Sequence, residues 1–133
     1  MLKIILGIVV GVVVAFAAVM AGELAIHALT GGTAVDMHDA AAVEAMMAAS
    51  PVGSKIGIVA TYFIAVLLGG LAAVRVSGRN WTAWIITAVI LAATIANFAM
   101  LPHPLWMVVC SILLIAAAGV LSSGAFRSKR PRP

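Results

Sequence analysis

The chain has 133 residues, of which 65% are hydrophobic and only 9% are charged, and its formal net charge is +4. This composition excludes a soluble globular domain of the same length, which would need a much larger charged surface. The single cysteine, Cys110, excludes an intramolecular disulfide and a redox-active cysteine pair.

Four continuous apolar segments are long enough to cross a hydrocarbon layer of about 30 Å, which takes roughly 20 helical residues. They cover residues 3–29, 55–75, 81–101 and 105–124. Because they lack the alternating pattern of membrane β-strands, we predict helices. The predicted fold class is all-α, a polytopic membrane protein with four transmembrane helices. These form a single domain, residues 1–126, followed by a basic tail, residues 127–133.

A polar insert, residues 31–54, separates the first two predicted spans. Its segment DMHDAAAVEAMMAAS predicts a short amphipathic helix. Asp36 is the predicted N-cap, or Thr33 and Asp36 form a variant of the capping box. Ser50 and Pro51 are then the N-cap and the first helical position of the second span. Because the short helix lacks a basic face, we interpret it as a lid or spacer rather than a lipid anchor.

The basic residues are distributed asymmetrically around the predicted spans. Seven of the eight fall on one side: Lys3, Arg75, Arg79, Arg127, Lys129, Arg130 and Arg132. The other side holds Lys55 and three acids: Asp36, Asp39 and Glu44. The positive-inside rule therefore predicts a multi-pass protein with both termini cytoplasmic and the insert external. We interpret the tail as part of this topology signal, and we predict the lipid bilayer as a partner but no nucleic acid.

Small residues mark the predicted packing surfaces between the helices. One face of the first span carries Gly7, Gly11, Ala15, Ala18, Gly22 and Ala25, and the second span carries Gly69 and Gly70. Such faces let neighbouring helices approach closely, and Gly7 with Gly11 forms a GxxxG match. If this face packs within the bundle, Glu23 and His27 point elsewhere, toward another helix, a second subunit or a hydrated groove. The small-residue faces also favour a homo-oligomer or a larger membrane complex.

Polar side chains cluster at one predicted depth of the membrane. Glu23 and His27 are ionisable residues of an otherwise apolar span, which makes them candidate functional residues. Four side chains lie about 6–11 Å below the predicted external ends of their helices, counted at about 1.5 Å per residue: Glu23, Tyr62, Asn97 and Cys110. With His27 and His103 nearer the surface, this layer predicts a proton- or ligand-binding pocket open to the outside. The alternative is that each residue is polar because it lies near an interface.

Motifs for metal binding and catalysis do not occur. The chain has no CxxC, no HExxH and no regular methionine repeat, so we assign no metal site. It also has no glycine-rich phosphate loop, no serine triad motif and no pair of intramembrane aspartates. We therefore predict no catalytic residues and no cofactor.

Three segments carry a resemblance to known proteins: GELAIHAL, SPVGS and IANFAMLPHPLWMVV. On these, the chain resembles the uncharacterised small four-helix inner-membrane proteins of bacteria. That resemblance implies the fold and a location in the bacterial inner (plasma) membrane, but no activity. Its size and helix count are also similar to those of the small multidrug-resistance transporters, whose first helix bears an essential acid. That resemblance implies Glu23 as the matching residue. The chain departs from it because Glu23 lies late in a longer helix, the insert is additional, and the third span lacks the tryptophan-glycine pattern.

Since motifs are sparse, we predict a small integral membrane protein of structural, accessory or interaction type, and not an enzyme. Two alternatives remain open. One is a small proton-coupled transporter that uses Glu23, and the other is a binder of lipid, quinone or metal at the external leaflet. A Glu23→Gln substitution separates the three, because it should spare the first, abolish the second and alter only ligand retention in the third.

Overall fold

The computed structural model describes residues 1–31, 35–36 and 38–126. Within these residues the chain forms five helices and no strand. They are α1 (Leu2–Thr30), α2 (Ala40–Ala49), α3 (Val52–Ser77), α4 (Thr82–Met100) and α5 (Leu105–Gly124). All but α2 are long and apolar enough to cross a membrane. The predicted fold class is confirmed: four spans form a helical membrane protein, with a short helix between the first two.

The N-cap of α2 differs from the prediction. The carboxylate of Asp39 accepts hydrogen bonds from the amides of Ala41 (3.1 Å) and Ala42 (3.3 Å). Asp36 instead accepts from the amide of His38 at 2.9 Å, in the turn before the helix. The prediction of Asp36 as the cap is wrong, because Asp39 directly precedes the first helical residue. Thr33, the other residue of the predicted capping box, lies outside the described residues, as does the basic tail 127–133.

The start of α3 also differs from the prediction. Pro51 is the N-cap rather than the first helical residue, and α3 begins at Val52, three residues earlier than predicted. Ser50 ends α2 instead of capping α3, because its hydroxyl donates to the carbonyl of Met46 at 2.8 Å. As a result Lys55 lies in the first turn of a longer helix, and not at the edge of a span.

The helix α3 is at the centre of the bundle. It packs on α1, α4 and α5, while α4 also packs on both α1 and α5. The pair α3 and α4 therefore forms the middle, with α1 and α5 on either side. Apolar side chains from all four helices fill the centre, among them Ala15, Val66, Ile86 and Ile115, which are fully buried.

The glycines of α1 bring its backbone against α3. A Cβ atom added to Gly11 would lie 2.8 Å from the carbonyl oxygen of Gly69, and one added to Gly69 would lie 2.6 Å from that of Gly11. Gly22 faces Thr61 in the same interface, whereas Gly70 faces Ser122 of α5. The helices α1 and α3 are thus antiparallel and in close contact along their length. This contact fixes the rotation of α1 and turns its other face outward.

The bundle has two chemically different ends. Lys3, Arg75 and Arg79 lie at one end, which we call the basic end, because α1 starts there and α3 finishes there. The end that carries α2 is called the insert end. Trp81 and Trp84 lie near the basic end and Trp106 near the insert end, all with exposed rings. Tryptophans at these two levels are typical of the interfacial belts of a membrane protein.

Candidate ligand cavity at the insert end

A cavity of about 770 Å³ lies at the insert end, between the last turns of α1, the helix α2, the first turns of α3 and the end of α4. All five residues selected from the sequence for proton or ligand binding line it: Glu23, His27, Tyr62, Asn97 and His103. The volume is within the range of about 300–1,000 Å³ that is common for small-molecule pockets. The structure thus brings these side chains together from three helices and a loop, while their role in binding stays a prediction.

Tyr62 and Asn97 form a fixed polar pair on the cavity wall. The Nδ2 amide of Asn97 donates a hydrogen bond to the Tyr62 hydroxyl oxygen, at 3.2 Å, and Tyr62 is only 5% exposed. The tyrosine oxygen acts as acceptor here, so its own proton is left for a different acceptor. Among the described residues, the Tyr62 hydroxyl donates no hydrogen bond of its own. The pair therefore presents an O–H donor at the cavity wall.

The ring of His103 is held in one orientation. Its Nδ1 lies 2.8 Å from the carbonyl oxygen of Leu101. Because a carbonyl only accepts, Nδ1 carries the hydrogen, and in the neutral ring Nε2 keeps its lone pair. The ring of Phe98 packs edge-on against it, with centroids 4.7 Å apart and an interplanar angle of 62°. His103 thus contributes an oriented imidazole to the cavity lining.

Glu23 and His27 line the cavity from α1. Four residues apart, they project from the same face of this helix, and both are exposed in the single chain. Because Gly22 packs against Thr61, Glu23 lies at the level of Tyr62 on α3. His27 lies one turn closer to the insert end.

Four further polar residues of the cavity were not selected from the sequence as binding residues: Thr30, Ser50, Ser54 and Lys55. Lys55 lines it, half-buried, together with Ser54, whose buried hydroxyl has no hydrogen-bond partner in the described part of the chain. Lys55 was counted only as a topology charge, because the predicted span began at that residue. The sequence did carry a signal for its role, because Lys55 is the one lysine or arginine on the predicted external side.

The short helix α2 supplies much of the apolar lining. Its cavity residues are Ala42, Ala45, Met46, Met47 and Ala49. The side chain of Val43 is buried as well, with 1% exposure. The helix therefore lies beside the cavity, while its role as a lid or spacer stays a prediction.

Cys110 does not belong to this site. It was predicted at the same depth as Glu23, but it is exposed on α5 and does not line the cavity. Among residues 1–31, 35–36 and 38–126, no three His, Cys, Asp or Glu side chains are grouped so that they could hold a metal ion.

The fold and the cavity together define a four-span helical membrane protein with a mixed polar and apolar pocket at one end. Comparison with protein-family models, with curated proteins and with solved structures finds no match.

Proposed function

We propose that this protein is a small integral membrane protein that binds an amphiphilic molecule in the insert-end cavity. The observation that carries the proposal is the shared cavity itself, in which Glu23, Lys55 and the Tyr62–Asn97 pair face the same space as apolar side chains. A mostly apolar pocket with a few oriented polar groups is typical of small-molecule sites. This corresponds to the binder of a lipid or quinone among the functions considered from the sequence.

The position of the cavity favours an amphiphile over a purely polar ligand. It lies at the end of the spans, where the membrane changes from hydrocarbon to head groups. Below Glu23, α1 presents Met20 (64% exposed) and Phe16 (42% exposed) on its outer face. A ligand with its head group in the cavity can place its chain along this apolar surface.

The closely packed centre of the bundle favours ligand binding over transport across the membrane. Ala15, Ile86 and Ile115 are each fully buried between the helices. In one chain, these packed side chains therefore close the cavity toward the middle of the bundle. The transporter reading with Glu23 and the purely structural reading both stay predictions, as does assembly into a homo-oligomer or larger complex.

The orientation is part of the proposal. With both termini cytoplasmic in a bacterial inner membrane, the insert end and its cavity face the outside. The basic end, with Lys3, Arg75 and Arg79, then follows the positive-inside rule. A reporter enzyme fused after Pro133 should be active only in the cytoplasm, and activity on the external side would overturn this orientation.

Native mass spectrometry of protein released gently from its own membranes tests the proposed function. We expect the wild type to retain a bound small molecule and the Ala45→Trp variant to lose it, because the indole would occupy the cavity. Ala48→Trp is the matched control, since Ala48 is an exposed residue of the same helix that does not line the cavity. Equal retention by all three proteins, or no bound molecule in any, would contradict the proposal.

A further inference from the structure

Two opposite charges line the cavity without pairing with each other. Glu23 comes from α1 and Lys55 from α3. No ion pair with nitrogen and oxygen within 4.0 Å joins them or links either one to another described residue. Ionised side chains at the edge of a hydrocarbon layer are costly when they lack a partner. A ligand that brings the two complementary charges would supply both partners at once.

The two charges lie at different depths. Gly22 packs against Thr61, and Gly57 packs against Ile26. A Cβ atom added to Gly57 would lie 3.2 Å from the Cδ1 atom of Ile26. These contacts set the antiparallel register of α1 and α3, which places Lys55 opposite about residue 28 of α1. Five residues separate that level from Glu23, or about 7.5 Å along the helix axis. The negative charge is therefore the deeper one, and the positive charge lies nearer the surface.

Resting on the proposed function, we infer that the ligand is a zwitterionic amphiphile whose cationic group is next to its apolar chain and whose anionic group is at the outer end. The cation lies beside Glu23, at the level of Tyr62. The anion lies toward Lys55, whose flexible side chain adjusts to the length of the head group. The chain runs from Glu23 past Met20 and Phe16.

The order of the charges distinguishes this ligand from a common phospholipid head group. In a zwitterionic phospholipid the phosphate is next to the glycerol and the amine is at the outer end. With its chains in the membrane, such a lipid would place its phosphate at the depth of Glu23 and its amine at that of Lys55. Each charge would then face a like charge, which is unfavourable.

Two detergents of equal chain length provide matched probes. Dodecyl sulfobetaine carries its ammonium next to the chain and its sulfonate outside, and dodecylphosphocholine has the opposite order. Each is titrated as a mole fraction into dodecyl maltoside micelles that contain the purified protein, and bound probe is counted by native mass spectrometry. We expect the wild type to bind the sulfobetaine about tenfold more tightly than the phosphocholine, which corresponds to one well-placed charge contact.

Charge reversal gives the decisive variant. In the double variant Glu23→Lys/Lys55→Glu, the preference should turn toward the phosphocholine. If that variant does not fold, the single neutral variants Glu23→Gln and Lys55→Met each test the inference, because either should lower the preference for the sulfobetaine several-fold.

The outcomes separate the two proposals. If Ala45→Trp abolishes binding of both probes, but the wild type and the neutral variants show no preference, the cavity binds amphiphiles and the inferred charge order is wrong. If Ala45→Trp leaves binding of both probes unchanged, the proposed function itself fails. A preference for the phosphocholine in the wild type would overturn the inference directly.

Discussion

The half of the bundle toward the basic end and the half toward the insert end differ in the hydrogen bonding of their buried hydroxyls. Toward the basic end, buried hydroxyls are bonded: Ser77 pairs with Thr82 at 2.9 Å, and Thr87 donates to the carbonyl of Ala83 at 2.9 Å. The three buried hydroxyls without a partner, within the described ranges, are those of Ser54, Thr94 and Ser111. All three lie in the halves of their helices that point to the insert end.

The backbone shows the same contrast. In the half toward the basic end, Gly11 and Gly69 bring α1 and α3 into direct backbone contact. At the insert end the helices surround a cavity of about 770 Å³, whose mostly apolar walls also carry charged and polar side chains. The comparison indicates that one half stabilises the bundle, while the other has polar capacity that the chain itself does not use.

The largest effect is expected from closing the glycine contact. Gly69→Ala places a Cβ atom 2.6 Å from the carbonyl oxygen of Gly11, so the helices must move apart. We expect the free energy of unfolding to fall by about 1–3 kcal/mol, as for other overpacked sites. It is measured by circular dichroism during SDS titration of mixed micelles. Gly53→Ala in the same helix is the control, because nothing lies within 4 Å of its added Cβ. An equal fall in the free energy of unfolding in both variants would contradict the importance of the contact between Gly11 and Gly69.

A smaller and local effect is expected from the cap of α2. Asp39→Ala removes the acceptor for two amides and should destabilise α2 by about 1 kcal/mol. Hydrogen exchange of residues 40–49 should become faster, with little change in the global unfolding of the four spans. Asp36→Ala is the matched control, since Asp36 bonds only the turn before the helix. If Asp36→Ala speeds exchange as much as Asp39→Ala, the cap assignment is wrong.

The contrast in hydroxyl bonding predicts that two similar substitutions in α4 change the free energy of unfolding in opposite directions. Thr94→Val removes a buried, unbonded hydroxyl at almost constant volume, and it should raise the free energy of unfolding by about 1 kcal/mol. Thr87→Val removes a bonded hydroxyl, and it should lower this free energy by about 0.5 kcal/mol. The SDS titration described above measures both. The same sign for both variants would contradict the contrast between the halves.

A similarly small effect is expected from the Tyr62–Asn97 pair. A double-mutant cycle with Tyr62→Phe and Asn97→Leu should give a coupling energy of about 0.6 kcal/mol, the average for hydrogen bonds between membrane helices. Tyr62→Phe should reduce the free energy of amphiphile binding by more than it reduces the free energy of unfolding, because it removes the donor that faces the cavity. A coupling energy near zero would mean that the pair does not hold this wall.

The level of a residue along the bundle could be predicted from the sequence, but the rotation of each helix about its axis could not. Counting residues placed Glu23, Tyr62 and Asn97 in one layer, since each helical residue adds a fixed rise. The same count included Cys110, which faces away from the cavity because packing on α3 and α4 sets the rotation of α5. Lys55 was missed because its role depends on where α3 begins, a detail that the cap at Pro51 decides.

Photo-crosslinking in growing cells shows whether a small molecule occupies the insert-end cavity. A photoreactive amino acid replaces either Ala45, on the cavity wall, or Ala48, an exposed residue that does not line the cavity, and the protein is analysed by mass spectrometry after irradiation. We expect one dominant small-molecule adduct at position 45 and no enrichment of it at position 48. The same adducts at both positions, or none at position 45, would contradict the claim that the insert-end cavity is a ligand site.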